Sequence, residues 1–424
     1  MHWNQKLWQR SLGQFPEFLE PLVAGLGRSE RREGAALYVQ GLLTPGERKS
    51  IEPIAGRVGV DMQKLQQFMA DSPWDAQAVW QAIRQEVVPV LEPLAAWIVD
   101  ETGWLKQGKK SVGVSHQYCG AVGKRANCQV SVEVVVSDGE IAAPVAGRLY
   151  LPENWTTDAA RCMAAGVPPE VKFQTKPAMA LELIGEVLAS GVSRAPVLGD
   201  EVYGAASELR RGLRKLELEY FLNAGGDLPA WIRSVETRRA RKHWDVAEGQ
   251  PPAVSLAALS RTLHGKQWHP VAWRAADGAK RQTRIGWLPV HVHGDLDRQS
   301  GDWPPCWLVV DWPEGHQKPC HLYLAWLKQP PSAARCLRLS RGRFAIEQFF
   351  QRDKTDLGLN HYEGRSWRGF HHHLVLAAVA CLFVTVIYLR AKKNFWCYVG
   401  TGVARDAAVA GAAARLLPLL RNKL

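Results

Sequence analysis

Residues 95–100 read Ala-Ala-Trp-Ile-Val-Asp, and residues 196–200 read Pro-Val-Leu-Gly-Asp. Each is a short, nearly continuous apolar run that stops at an aspartate. Such runs mark strands covered on both faces, the kind found at the centre of a sheet with helices packed on it. Asp100 and Asp200 therefore stand as two carboxylates at strand ends. Between them, Gln129–Val136 (QVSVEVVV) alternates and is β-branched. Ser137-Asp138-Gly139-Glu140 then turns the chain into Ile141–Leu151, which predicts a β-hairpin with a four-residue loop. Thr175-Lys176-Pro177 supplies an N-cap and an early-helix proline for an amphipathic helix running to about Ala189. A hairpin followed by alternating helix and strand defines an α/β fold, a mixed sheet with flanking helices.

A third carboxylate lies far downstream. In Arg343–Lys354 (RFAIEQFFQRDK), read as a helix, Glu347 falls about 40° and Lys354 about 20° around the axis from Arg343. One acid is thus presented in line with two cations. Three separated carboxylates, two at strand ends and one on a helix, suit a pair of Mg²⁺ ions acting on a phosphodiester, with Mn²⁺ as the natural substitute. Lys354 suits a point-charge contact to phosphate. Arg343 fits two roles, a phosphate clamp or an i,i+4 ion pair with Glu347. Glu101 and Glu201 each follow a candidate aspartate, and alternation turns them to the opposite face, where a structural or solvated role is expected.

The flanking regions differ in texture. Residues 1–90 are helical in pattern, with Phe15, Phe18, Leu19, Leu22, Val23 and Leu26 recurring at three and four. Within 51–70, Ala55, Gly59 and Leu65 have the spacing of a helix-turn-helix. Its second helix would offer Gln63, Lys64, Gln66 and Gln67 to DNA; a generic helical hairpin gives the same pattern. Residues 91–225 carry the first part of the sheet. Between 226 and 320 helical periodicity fades and Trp268, Trp273, Trp287, Trp303, Trp307 and Trp312 crowd together, which predicts a β-rich insertion with its aromatic area buried. His321–Trp326 returns to a strand, and 321–424 completes the core with the acid-bearing helix and C-terminal helices.

The chain has 424 residues, more than one ordinary core accommodates, and a net charge of +12 that favours a polyanionic partner. Lys109 and Lys110, after the first aspartate, are candidate phosphate contacts. The 8 cysteines include no CxxC, so thiolate metal sites and a disulfide framework are not expected and a reducing cytoplasm is. Met1–Arg10 lacks the apolar stretch of a signal peptide. Leu374–Leu389, roughly 16 apolar residues, is shorter than a bilayer span and reads as a core helix. His371-His372-His373 point about 100° apart on a helix and cannot all hold one ion, so a helix start near DNA or the core is expected.

Together these features resemble the DDE transposases of bacterial insertion sequences, in the subgroup whose RNase H-like core is interrupted by a β-strand insertion. Val99-Asp100-Glu101-Thr102-Gly103 resembles that family's first-aspartate strand and Leu198-Gly199-Asp200-Glu201-Val202-Tyr203-Gly204 its second. Arg343, Glu347 and Lys354 match three members of its Tyr-Arg-Glu-Lys signature; Ser340 stands where the tyrosine is expected. The resemblance implies a two-metal site on Asp100, Asp200 and Glu347 and a helical DNA-binding domain preceding the catalytic core. It further implies strand cleavage and transfer at terminal inverted repeats by a homodimer or larger synaptic assembly on double-stranded DNA, at the nucleoid and away from membranes. A relative that only binds DNA, or an RNase H-like nuclease without strand transfer, is the alternative.

Overall fold

The computed structural model describes residues 12–240, 242–274, 278–343 and 357–400, with side chains as far as Ile387. Five helices open the described chain: α1 (Phe15–Val23), α2 (Ser29–Leu43), α3 (Ile51–Val58), α4 (Met62–Ala70) and α5 (Ala76–Glu86). The apolar spacing read above is the reason α1 buries Phe15, Leu19, Leu22 and Val23.

The sheet is built around β1 (Ala96–Leu105). It runs antiparallel to β3 (Lys124–Ser137), from Ala96↔Ser137 to Leu105↔Cys128. On its other side it runs parallel to β5 (Val197–Gly199), with Trp97↔Val197 and Ile98↔Leu198 as partners. The long β3 serves two partners in turn, β2 (Ser115–Cys119) along its first half and β4 (Ala142–Leu149) along its second. β5 is parallel to β6 (Tyr220–Asn223). Antiparallel strands on one flank of β1, parallel strands on the other and helices across both faces make an RNase H-like mixed sheet. Ala96–Val99 are at most 3 % exposed, as the unbroken apolar run requires.

Helix α6 (Lys176–Ala189) begins where the sequence predicts, with the Thr175 hydroxyl accepting from the Ala178 N–H at 3.2 Å. The short α7 (Glu201–Ala205) and α8 (Ser207–Lys215) follow β5. Residues 333–343 form α9, and α10 spans Trp367–Gly400. The C-terminal helix therefore starts well before Leu374, because the three histidines belong to its buried face. Its stretch Trp367–Ile387 is long and apolar enough to cross a bilayer, yet 89 % of its most apolar window is buried inside the protein. Phe383 meets Phe15 edge-on at 5.2 Å, so α10 is a core helix clasped by the N-terminal helices.

The insertion departs from expectation in two ways. It continues the central sheet: β6 pairs with β14 (His321–Trp326), β14 with β13 (Cys306–Pro313) and β13 with β12 (Lys280–Val292). β12 then pairs with both β7 (Pro229–Trp231) and β11 (His269–Arg274). Among the described residues one 12-stranded sheet results, beside a two-stranded ribbon of β8 (Thr237–Arg239) and β9 (Trp244–Val246). Its tryptophans are also half-buried, unlike Trp80, Trp97, Trp104 and Trp155 of the core. They pair off locally: Trp268 against Trp312, Trp303 against Trp231, Trp287 on His269, and Trp273 beneath the Arg341 guanidinium at 3.3 Å.

Candidate active site

The register between β1 and β5 decides the site. Trp97 lies beside Val197 and Ile98 beside Leu198, so the same register carried two residues further sets Asp100 beside Asp200. Parallel neighbours lie about 4.8 Å apart. Asp200 leaves at the carboxyl end of β5, whereas Asp100, expected at a strand end, lies mid-strand, because the ladder to β3 carries β1 on to Leu105. Asp200 also caps α7: its Oδ1 accepts from the N–H groups of Val202 at 2.9 Å and Tyr203 at 3.3 Å. Both bonds fall on one oxygen, Oδ1. Asp100 Oδ1 accepts from the Glu101 N–H at 2.8 Å. Two carboxylates on adjacent parallel strands form a hard-oxygen donor set that fits a divalent cation of the Mg²⁺ class. Among the described residues no His, Cys, Asp or Glu trio is arranged to hold a metal. Glu347 and Lys354 lie outside the described residues.

Two further carboxylates stand nearby. Glu133 is the cross-strand partner of Asp100, so the two share a face of the sheet. It is 3 % exposed, and Ser131 Oγ, itself an acceptor from Trp104 Nε1, donates to it at 2.6 Å. A lone acid inside an otherwise apolar strand was the sequence signal for it. Glu101 turns to the opposite face, as alternation requires, and there it is neither solvated nor idle. Lys176, the first residue of α6, donates to its Oε2 at 2.5 Å. Burial raises the Glu101 carboxyl above its ordinary value, Lys176 opposes the rise, and Asp200 and Asp100 add to it.

On α9, Arg343 is half-buried at the end of the described helix. Ser340 donates to the Leu337 carbonyl at 3.0 Å. Tyr323, from β14, brings a phenol to the Ser340 hydroxyl. Burial raises that phenol's pKa, Asp311 adds to the rise, and Arg343 and Arg341 oppose it. The neighbourhood of a strand phenol and the helix hydroxyl is one that no local sequence pattern announces.

The candidate DNA-reading elements are well formed. α3 buries Ile54 and Ala55; Gly59 ends it at φ 71°, a left-handed conformation that suits glycine; Asp61 caps α4 through the Gln63 N–H at 2.6 Å. Leu65 and Phe68 face inward, while Gln63, Lys64, Gln66 and Gln67 are exposed. Lys64 lies 3.7 Å from Glu33 in an exposed pair. Lys109 and Lys110 are exposed on the loop after β1, whereas neighbouring Lys106 is committed: its Nζ donates to the Tyr362 carbonyl, and burial pulls its pKa down to about 8. The three histidines of α10 are core groups with separate partners. His371 meets the Trp367 carbonyl, His372 the carbonyls of Met69 and Trp74, and His373 the Tyr38 hydroxyl at 2.7 Å. Burial pulls them down to about 4, 4 and 3.

A mixed sheet that sets two aspartates side by side on parallel neighbours, one within β1 and one just past β5, fits an RNase H-like nuclease core. Comparison with known families agrees: residues 21–282 match the DDE superfamily endonucleases, and the chain belongs to that family. It is also 32 % identical over 171 residues to the probable transposase for insertion sequence element IS701 of Microchaete diplosiphon. That match covers 40 % of this chain and 42 % of the relative's length.

Proposed function

We propose that this protein is the transposase of an insertion sequence, binding terminal inverted repeats and catalysing divalent-metal-dependent strand cleavage and strand transfer. The observation that carries the reading is the β1–β5 register, which brings Asp100 and Asp200 together; the resemblance to a probable transposase supports it. In this reading Asp100, Asp200 and Glu347 hold two Mg²⁺ ions, or Mn²⁺ in their stead. Such ions, when bound, stabilise the attacking and leaving oxygens of an in-line displacement at phosphorus. The chain's own residues do the rest. Asp100, Asp200 and Glu347 would share the ions between them, and holding the ions beside the phosphate would fix the line of attack. Lys354 and Arg343 hold the flanking phosphate, and Ser340 with Tyr323 supplies hydroxyls beside them. The helical segment 1–90 reads the end sequence through α4. Residues 226–320 form the insertion, and 91–225 with 321–424 make the catalytic core. A homodimer or larger synaptic assembly brings the transposon ends and target DNA together, at the bacterial nucleoid.

The test is excision from a donor plasmid carrying the gene's native flanks, in Mg²⁺, for wild type and for Asp100→Ala, Asp200→Ala and Glu347→Ala. Excision lost in all three variants, with flank binding retained, is the expected result. Cutting without joining would make the protein a nuclease. Flank binding without any cutting by wild type would reduce it to a DNA-binding protein.

Reading through α4 has a separable consequence. Lys64→Ala is expected to weaken binding to the flanks and to lower the slope of log K against log salt by about one unit, since one phosphate contact is lost. A slope equal to wild type would remove Lys64 from the interface.

A further inference from the structure

The face of the sheet behind the two aspartates carries an unfinished hydrogen-bond chain. Tyr203, one turn into the helix that Asp200 caps, is wholly buried. It packs over Gly199, where an added Cβ would come within 3.0 Å of the tyrosine's own Cβ. Gly199 follows Val197 by two residues and therefore shares the face of Trp97, Val99 and Glu101. Tyr203 and Glu101 thus lie behind the sheet on one side, while Asp100 shares the other with Glu133. Among the described residues the Tyr203 hydroxyl has no hydrogen-bond partner, and neither has Glu101 Oε1, although both atoms are buried. Of the charged groups around the phenol, the Glu101 carboxylate acts on it most strongly, ahead of Asp100, Asp200 and Glu133. A buried donor and a buried acceptor, each unmade, cost more apart than joined. The other oxygen of the same carboxylate is already held by Lys176.

We propose that Lys176, Glu101 and Tyr203 are positioning residues that close into one hydrogen-bonded brace when metal draws Asp100 and Asp200 together. Glu101 is adjacent in sequence to Asp100, and Tyr203 donates its backbone N–H to Asp200. A bond from the Tyr203 phenol to Glu101 Oε1 therefore ties the strand bearing one metal ligand to the helix capped by the other, from the side opposite the metals. The brace rests on the reading of Asp100 and Asp200 as metal ligands. It adds that their separation is set from behind, by groups that touch neither metal nor DNA.

Mn²⁺ binding to the full chain, followed by the electron paramagnetic resonance of the free ion, tests it without recourse to catalysis. Tyr203→Phe and Glu101→Gln are each expected to weaken Mn²⁺ binding roughly five- to tenfold, the scale of one ordinary hydrogen bond. The Mg²⁺ concentration giving half-maximal cleavage is expected to rise by the same factor, with the rate at saturating Mg²⁺ within about threefold of wild type. A purely structural role would lower the saturated rate or the folded fraction and leave metal affinity unmoved. Asp100→Ala separates the two ideas. If it abolishes Mn²⁺ binding while Tyr203→Phe and Glu101→Gln bind as wild type, the brace is wrong and the metal site stands. If Asp100→Ala itself binds Mn²⁺ as wild type, the metal-site reading fails first and the brace falls with it.

Discussion

Asp200→Asn is expected to leave the protein folded and to cut its cleavage rate by about a thousandfold. Asparagine is as good an N-cap as aspartate, so the bonds from the Val202 and Tyr203 N–H groups to Oδ1 persist and α7 keeps its start. What disappears is the negative charge and one anionic oxygen at the end of β5. Metal-assisted stabilisation of the transition state is worth several kcal/mol, and about 4 kcal/mol corresponds to roughly three decades in rate. Asp200→Ala would remove the cap as well, at a further cost near 1 kcal/mol, and confuse the two effects. The measurement is single-turnover cleavage of an end-containing duplex in Mg²⁺, alongside a thermal melt. Cleavage within tenfold of wild type, at an unchanged melting temperature, would mean that Asp200 only caps its helix.

The second large effect is on stability. Asp295 is fully buried and receives Arg210 Nε at 2.9 Å and Arg214 Nη1 at 3.0 Å; Arg210 is 1 % exposed. Arg210 also donates to the Gly204 carbonyl in the helix that Asp200 caps, and Arg214 to the Tyr220 hydroxyl at 2.8 Å. Asp295→Ala would leave two guanidinium groups buried without their anion. Breaking a buried pair in this way costs about 3–5 kcal/mol, which in a domain of this size lowers the melting temperature by on the order of 10 °C. Replacing Arg210 and Asp295 together by Met and Leu removes the stranded charge of Arg210, and much of the loss should return. A single-variant loss below about 1 kcal/mol would show that water reaches the cluster.

What the sequence made legible was what local periodicity and capping control. The apolar run into Asp100, the alternation of Gln129–Val136 and the Thr175 cap each act within a few residues, and the corresponding strands and helix appear at those positions. The opposite facing of Asp100 and Glu101 follows from the same period of two. The fate of Glu101 did not follow, because its partner Lys176 arrives from a helix 75 residues away. For the same reason nothing local tells Lys106 apart from its neighbours Lys109 and Lys110, yet it alone is spent on the Tyr362 carbonyl. Trp density foretold aromatic area but not its faces, since the tryptophans settle against one another and against Arg341, Arg284 and His269 rather than in a closed core. The joining of the insertion to the central sheet left no local mark either: backbone groups make those ladders, and every residue type but proline carries the same ones.

The two borders of that segment lie side by side in the sheet. Asn223, the last residue of β6, is the ladder partner of Tyr323 in β14. The chain departs and returns at a single pair, so Ala224–Leu322 is a hairpin turn swollen into half a sheet. Lengthening a loop adds only slowly to the entropy of closing it, and material can enter or leave such a turn without shifting the register of β1, β5 and β6. The outer strands thus hang from the stem of β1, β5 and β6 at that one pair. Their removal would strand two cations of the stem, Arg210 and Arg214, whose shared anion, Asp295, lies between β12 and β13.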